Sequence, residues 1–77
     1  MTLDNLQVGA SAQVIMVDSG PHGDRLMEMG LVPGTKLRVI RRALWRGPLQ
    51  VWVRNATICL DAHLASSVSV TLDLNDA

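Results

Sequence analysis

His22, Asp24 and His63 are the side chains of this sequence best suited to bind a borderline metal, and all three fall near turn signals. Their spacing fits none of the short ligand repeats from which zinc sites are built, so a metal centre would require convergence through the fold. The expectation is two solvent-exposed histidines and no metal ligand. Cys59 is the sole thiol, which excludes an internal disulfide and a cysteine-rich zinc site and fits a reducing compartment. Set among Thr57, Ile58 and Leu60, it is expected to be buried and inert rather than nucleophilic. Phosphate-binding loops, dinucleotide fingerprints, His-Glu-x-x-His pairs and nucleophile elbows are missing from the sequence. These residues predict a protein that is not an enzyme, with no catalytic residue and no cofactor.

Charge and tryptophan offer a different kind of chemistry. Seven basic and seven acidic residues cancel, yet Lys36, Arg38, Arg41, Arg42, Arg46 and Arg54 fall in a stretch between Glu28 and Asp61 that contains no acid. Trp52 lies between Gln50 and Arg54, and pairing of neighbouring strands would bring Arg38 and Arg42 beside it. An outward face of Arg38, Arg42, Trp52 and Arg54 could stack bases and contact phosphates, as small barrels that bind nucleic acid do. The plainer alternative is a cation–π pair on a solvated sheet, contributing about 0.5–1 kcal/mol. Zero net charge and only two aromatic residues weigh against nucleic acid. The segment Leu44-Trp45-Arg46 offers apolar contact at a hairpin tip, Trp and Arg being types enriched in binding hot spots. The other possibility is a Trp45 folded back over the barrel end.

The elements that must carry these residues are short. At 77 residues and 48% apolar content, the chain is one folded domain over 1–77, with 1–72 as ordered core and 73–77 as a tail. Period-2 alternation and turn residues mark strands at 11–18, 35–43, 49–54, 57–60 and 67–72. The segment 21–30, rich in Leu and Met and closed by Gly30, reads as a short helix. Pro33-Gly34 marks a type II turn. Leu6-x-x-Gly9-x-x-x-x-Val14-Ile15 matches Leu31-x-x-Gly34-x-x-x-x-Val39-Ile40 at an offset of 25, a repeat of local chemistry entering one core. The result is an all-β chain with one short helix, a small five-stranded antiparallel barrel. Its expected core is Val14, Leu26, Met29, Leu31, Leu37, Val39, Val51, Val53, Ile58, Leu60, Val68 and Val70. The start carries no cationic signal peptide, and the longest apolar run is four residues, Val14 to Val17, against the roughly 20 of a membrane helix. A soluble product is expected.

The order Leu6-x-x-Gly9, then Arg25-Leu26-x-x-Met29-Gly30-Leu31-x-Pro33-Gly34-Thr35, then Val39-x-Arg41-Arg42-Ala43 resembles the FeoA family of small bacterial ferrous iron transport proteins. The resemblance covers nearly the whole chain. It implies an SH3-like barrel and a cytoplasmic accessory protein that binds the cytosolic GTPase domain of a FeoB-type membrane transporter. The same barrel also occurs on metal-responsive repressors, a context that a chain starting at Met1 argues against. The family often has Ala-Pro-x-Gly-Asp-Pro where this chain has Ala43-Leu44-Trp45-Arg46-Gly47-Pro48. On this reading the helix region and the tip form one docking surface, through His22, Arg25, Met27, Leu44, Trp45 and Arg46. Association of the chain with itself is a further expectation.

Overall fold

The computed structural model describes residues 1–45 and 47–73. A 3₁₀ turn (Leu3–Asn5) leads into β1 (Ser11–Val17), α1 (Pro21–Glu28), β2 (Lys36–Arg42), β3 (Leu49–Val53), β4 (Ala56–Leu60), the one-turn helix α2 (Ala62–Ala65) and β5 (Val68–Leu72). The strands form one antiparallel sheet in the order β4-β3-β2-β1-β5, the expected SH3-like arrangement. The two end strands do not pair with each other, so the sheet bends around its core without closing. β5 is not left bare: Thr2 bridges Ser69, and the Val70 N–H donates to the Met1 carbonyl at 2.9 Å. Beyond the expected helix, the structure adds the 3₁₀ turn and α2, whose N-cap Asp61 accepts a hydrogen bond from the Leu64 N–H.

The apolar core gathers the inward residues of every strand with Leu26 of α1 and Leu31. Leu3, Leu6 and Ala65 join it unexpectedly, because the N-terminal segment and α2 pack over one end of the sheet, and Ala12 joins it from the inner face of β1. Met29 does not, since it is the C-cap of α1 and points to solvent, and Ile58 is only partly buried at the core's rim. Cys59 is exposed, contrary to expectation. Ile58 and Leu60 pair with Val51 and Leu49 on the inner face, so strand alternation turns Cys59, opposite Gln50, outward.

The repeat in the sequence is a repeat in space. Gly9 and Gly34 occupy the third position of matching turns, with φ of 90° and 92° and closing bonds Ala10 N–H to Gln7 carbonyl and Thr35 N–H to Val32 carbonyl. Gly9 N–H then donates to Val39 and Val39 N–H to Ala10, while Gly34 N–H donates to Val14 and Val14 N–H to Thr35. Each bond of one set is the 25-residue image of a bond in the other. A local pseudo-twofold axis through the Ala12–Leu37 pair therefore exchanges β1 with β2 and β5 with β3. Even the β-bulges correspond, between Val14 and Met16 on β1 and between Val39 and Arg41 on β2. A bulge increases local twist, and two matched bulges bend the sheet around the core.

Candidate functional site

The second bulge decides which cations face outward. Ahead of it, Arg38 pairs with Trp52 and Val39 with Val51; beyond it, Arg41 pairs with Gln50 and Arg42 with Leu49. The extra residue, Ile40, moves Arg42 off the face of Arg38 and Trp52 and puts Arg41 there instead. Arg42 is half-buried, and its Nη2 donates to the Asp4 and Leu6 carbonyls, both at 2.7 Å. The expected basic face is corrected accordingly: Arg38, Trp52 and Arg54 share it, and Arg42 instead pins the N-terminal segment.

That face holds an open groove of about 510 Å³ lined by Lys36, Arg38, Trp52, Arg54, Asn55 and Asp73 among others. Trp52 is exposed on one wall. Lys36 forms an ion pair with Asp73 at 3.5 Å, and Arg38 Nε donates to Ser11 Oγ at 3.0 Å. Asp73 thus brings negative charge into a face that the sequence predicts as wholly basic. Arg54 and Asn55 form the β3–β4 connection with φ of 52° and 63°, the left-handed pair that a two-residue hairpin turn demands. The Arg54 stem spreads over Gly30: a Cβ on Gly30 would lie 3.2 Å from Arg54 Cδ, and its φ of 106° also favours glycine. The Met29-Gly30-Leu31 motif is therefore fixed twice, by backbone conformation and by contact.

At the opposite end of the β2–β3 hairpin, residues 43–48 form the tip. Ala43 N–H donates to the Pro48 carbonyl at 3.0 Å and Gly47 N–H to the Leu44 carbonyl at 3.2 Å. Gly47 is required by space, since a Cβ there would lie 2.7 Å from the Ala43 Cβ. Leu44 is 84% exposed and Trp45 95%, so Trp45 projects into solvent and does not fold back over the barrel. Arg46, the third expected tip residue, lies outside the described residues.

His22, Arg25 and Met27 are all exposed on α1. The contact of Gly30 with Arg54 sets the C-terminal end of α1 beside the end of β3, while the tip precedes the start of β3. Among the described residues, no three His, Cys, Asp or Glu side chains converge as a metal site. His22 and His63 do meet, with ring centroids 6.1 Å apart.

The FeoA domain model matches residues 1–72. The chain belongs to the FeoA family. FeoA of Chlorobium tepidum, solved by NMR, superposes with a TM-score of 0.87 at 32% identity, over 100% of this chain and 74% of that one. FeoA of Stenotrophomonas maltophilia, solved in complex with zinc and described as a prokaryotic SH3 domain protein, gives 0.83 at 30% identity, over 92% and 89%. A manganese-dependent transcriptional repressor shares the fold alone, with a TM-score of 0.82 at 21% identity over 96% of this FeoA chain and 41% of its own. No curated protein matches the sequence. The family connects this FeoA chain with ferrous iron transport, and among its described residues no helix is long and apolar enough to cross a membrane.

Proposed function

We propose that this FeoA protein is a non-enzymatic, cytoplasmic accessory of ferrous iron transport that binds the cytosolic GTPase domain of a FeoB-type membrane transporter. The observation that carries the reading is the tip: among the described residues Trp45 and Leu44 are the most exposed large apolar side chains, on a loop held by two backbone hydrogen bonds. An aromatic side chain presented in this way suits a protein contact. His22, Arg25 and Met27 on α1 supply a second patch for a partner broad enough to span both. Such an accessory acts by binding one conformation of the GTPase better than another, and about 1.4 kcal/mol of preference gives a tenfold bias.

The experiment is titration of the soluble GTPase domain of the cognate transporter with wild-type protein and with Trp45→Ala, following affinity and GTP hydrolysis. The expected result is wild-type binding that Trp45→Ala weakens at least tenfold with its fold intact. Absence of wild-type binding at high micromolar concentration overturns the proposal. Sizing chromatography over a concentration series reports self-association.

The groove favours a second reading, a nucleic-acid contact through Arg38, Trp52 and Arg54. The ion pair of Lys36 with Asp73 and the diversion of Arg42 to backbone carbonyls reduce the positive charge available for phosphates. Phosphate-driven binding falls steeply with added salt, whereas an apolar tip contact changes little.

A further inference from the structure

His22 and His63 are 41 positions apart in sequence, and the fold sets their imidazoles edge to face, with centroids 6.1 Å apart and planes at 88°. Both side chains are exposed. We infer that this pair is a two-imidazole binding site for a borderline divalent transition-metal cation, with water completing the coordination. The inference does not rest on the partner reading, although His22 also belongs to its α1 patch, and it draws on a different part of the molecule from the tip.

The distances permit it. With metal–nitrogen bonds of about 2.0–2.1 Å, a shared cation sits about 3.2 Å from each ring centre, so a tetrahedral angle at the metal needs centroids about 5.2 Å apart. Rotation of exposed side chains about their Cα–Cβ and Cβ–Cγ bonds covers the remaining gap of about 1 Å. Imidazole nitrogen suits zinc, copper, iron and nickel over hard cations such as calcium. Among the described residues there is no third protein ligand, which leaves the site open to water.

The two histidines also stand on a joined frame. α2 is held by the Asp61 cap on Leu64 and by the Ser66 hydroxyl donating to the His63 carbonyl at 2.6 Å. The chain leaving α2 accepts, at the Ser67 carbonyl, a hydrogen bond from the Asp18 N–H at 2.9 Å. The Asp18 carbonyl faces Gly23 so closely that a Cβ there would lie 1.8 Å from its oxygen. From His63 through Ser67, Asp18 and Gly23 to His22, backbone contacts fix both ligand-bearing segments relative to each other. A chelating pair on rigid elements loses little freedom when it binds.

An edge-to-face histidine pair is also ordinary aromatic packing, and the experiment separates the two roles. Purified full-length wild type, His22→Gln, His63→Gln and the double variant are titrated with Co(II) and Zn(II) at neutral pH, by calorimetry and by NMR of the imidazole ring protons. The expected result is one cation per chain, with both histidines perturbed together by substoichiometric Co(II). Each single variant loses at least tenfold in affinity, and the double variant loses little more than either, because one imidazole alone no longer chelates. Zn(II) raises the melting temperature of wild type and not of the variants. Wild-type affinity retained by a folded single variant overturns the site, as does independent binding of one cation per histidine or no binding at millimolar metal.

Discussion

Replacing Arg41 and Arg42 separately by alanine tests the β2 bulge and the surface it creates. Plain alternation along Lys36-Leu37-Arg38-Val39-Ile40-Arg41-Arg42 makes Arg42 the outward cation, whereas the register beyond Val39 makes it Arg41. Arg42 gives two charged hydrogen bonds, each 2.7 Å long, to the Asp4 and Leu6 carbonyls. Hydrogen bonds to charged groups contribute about 1.5–3 kcal/mol, and partial exposure lets water replace some of this, leaving about 1–2 kcal/mol for Arg42→Ala. In a domain of this size that lowers the melting temperature by roughly 5–15 °C. Arg41→Ala changes an exposed side chain and stays within about 0.5 kcal/mol of wild type. Thermal and urea denaturation followed by circular dichroism measure both. Equal losses, or a larger loss for Arg41→Ala, would refute the bulged register and with it the corrected basic face.

Two further substitutions probe the backbone. Gly23→Ala in a helix ordinarily gains about 1 kcal/mol of propensity, but here the new Cβ would lie 1.8 Å from the Asp18 oxygen, so a net loss of about 1–3 kcal/mol is expected in urea denaturation. A stabilised variant would show that α1 does not sit against the end of β1. Gly9→Ala and Gly34→Ala meet no atom within 4 Å and differ in φ by only 2°, so each should cost about 1–2 kcal/mol through backbone conformation alone. Losses differing by more than about 1 kcal/mol would contradict the equivalence of the two turns.

Much of this fold is legible in the sequence because its signals are local. Leu49, Val51 and Val53 alternate with Gln50 and Trp52, and that period alone defines β3 and its inner face. Pro33-Gly34 specifies its turn through the fixed φ of proline and the positive φ that glycine accepts. The bulges left no such mark: Ile15 lies between Val14 and Met16 and Ile40 between Val39 and Arg41, residue types that any strand accepts, and their unpaired positions emerge only from the partner strands. Plain alternation therefore puts Arg42 on the wrong face. The apolar neighbours of Cys59 suggest burial, whereas its position between Ile58 and Leu60 on the strand turns it outward. α2 had a usable signal in Asp61, a good N-cap ahead of Ala-His-Leu-Ala, but one turn of helix is too short for periodicity to register. The exposure of Trp45 and the meeting of His22 with His63 depend on the tip's closing hydrogen bonds and on the Asp18–Ser67 contact, neither of which sequence spacing encodes.

The unequal treatment of the two sheet margins bears on aggregation. β4 ends the sheet with an uncharged Ala-Thr-Ile-Cys-Leu run that has neither proline nor bulge, while Met1 and Thr2 already occupy the far side of β5. Open-ended fibre growth requires every molecule to offer two sticky margins, one for each neighbour. With one covered, strand addition through β4 stops at a closed pair. Loosening the first two residues would remove that stop, and fibrillation would then depend on how firmly Met1 and Thr2 hold their places.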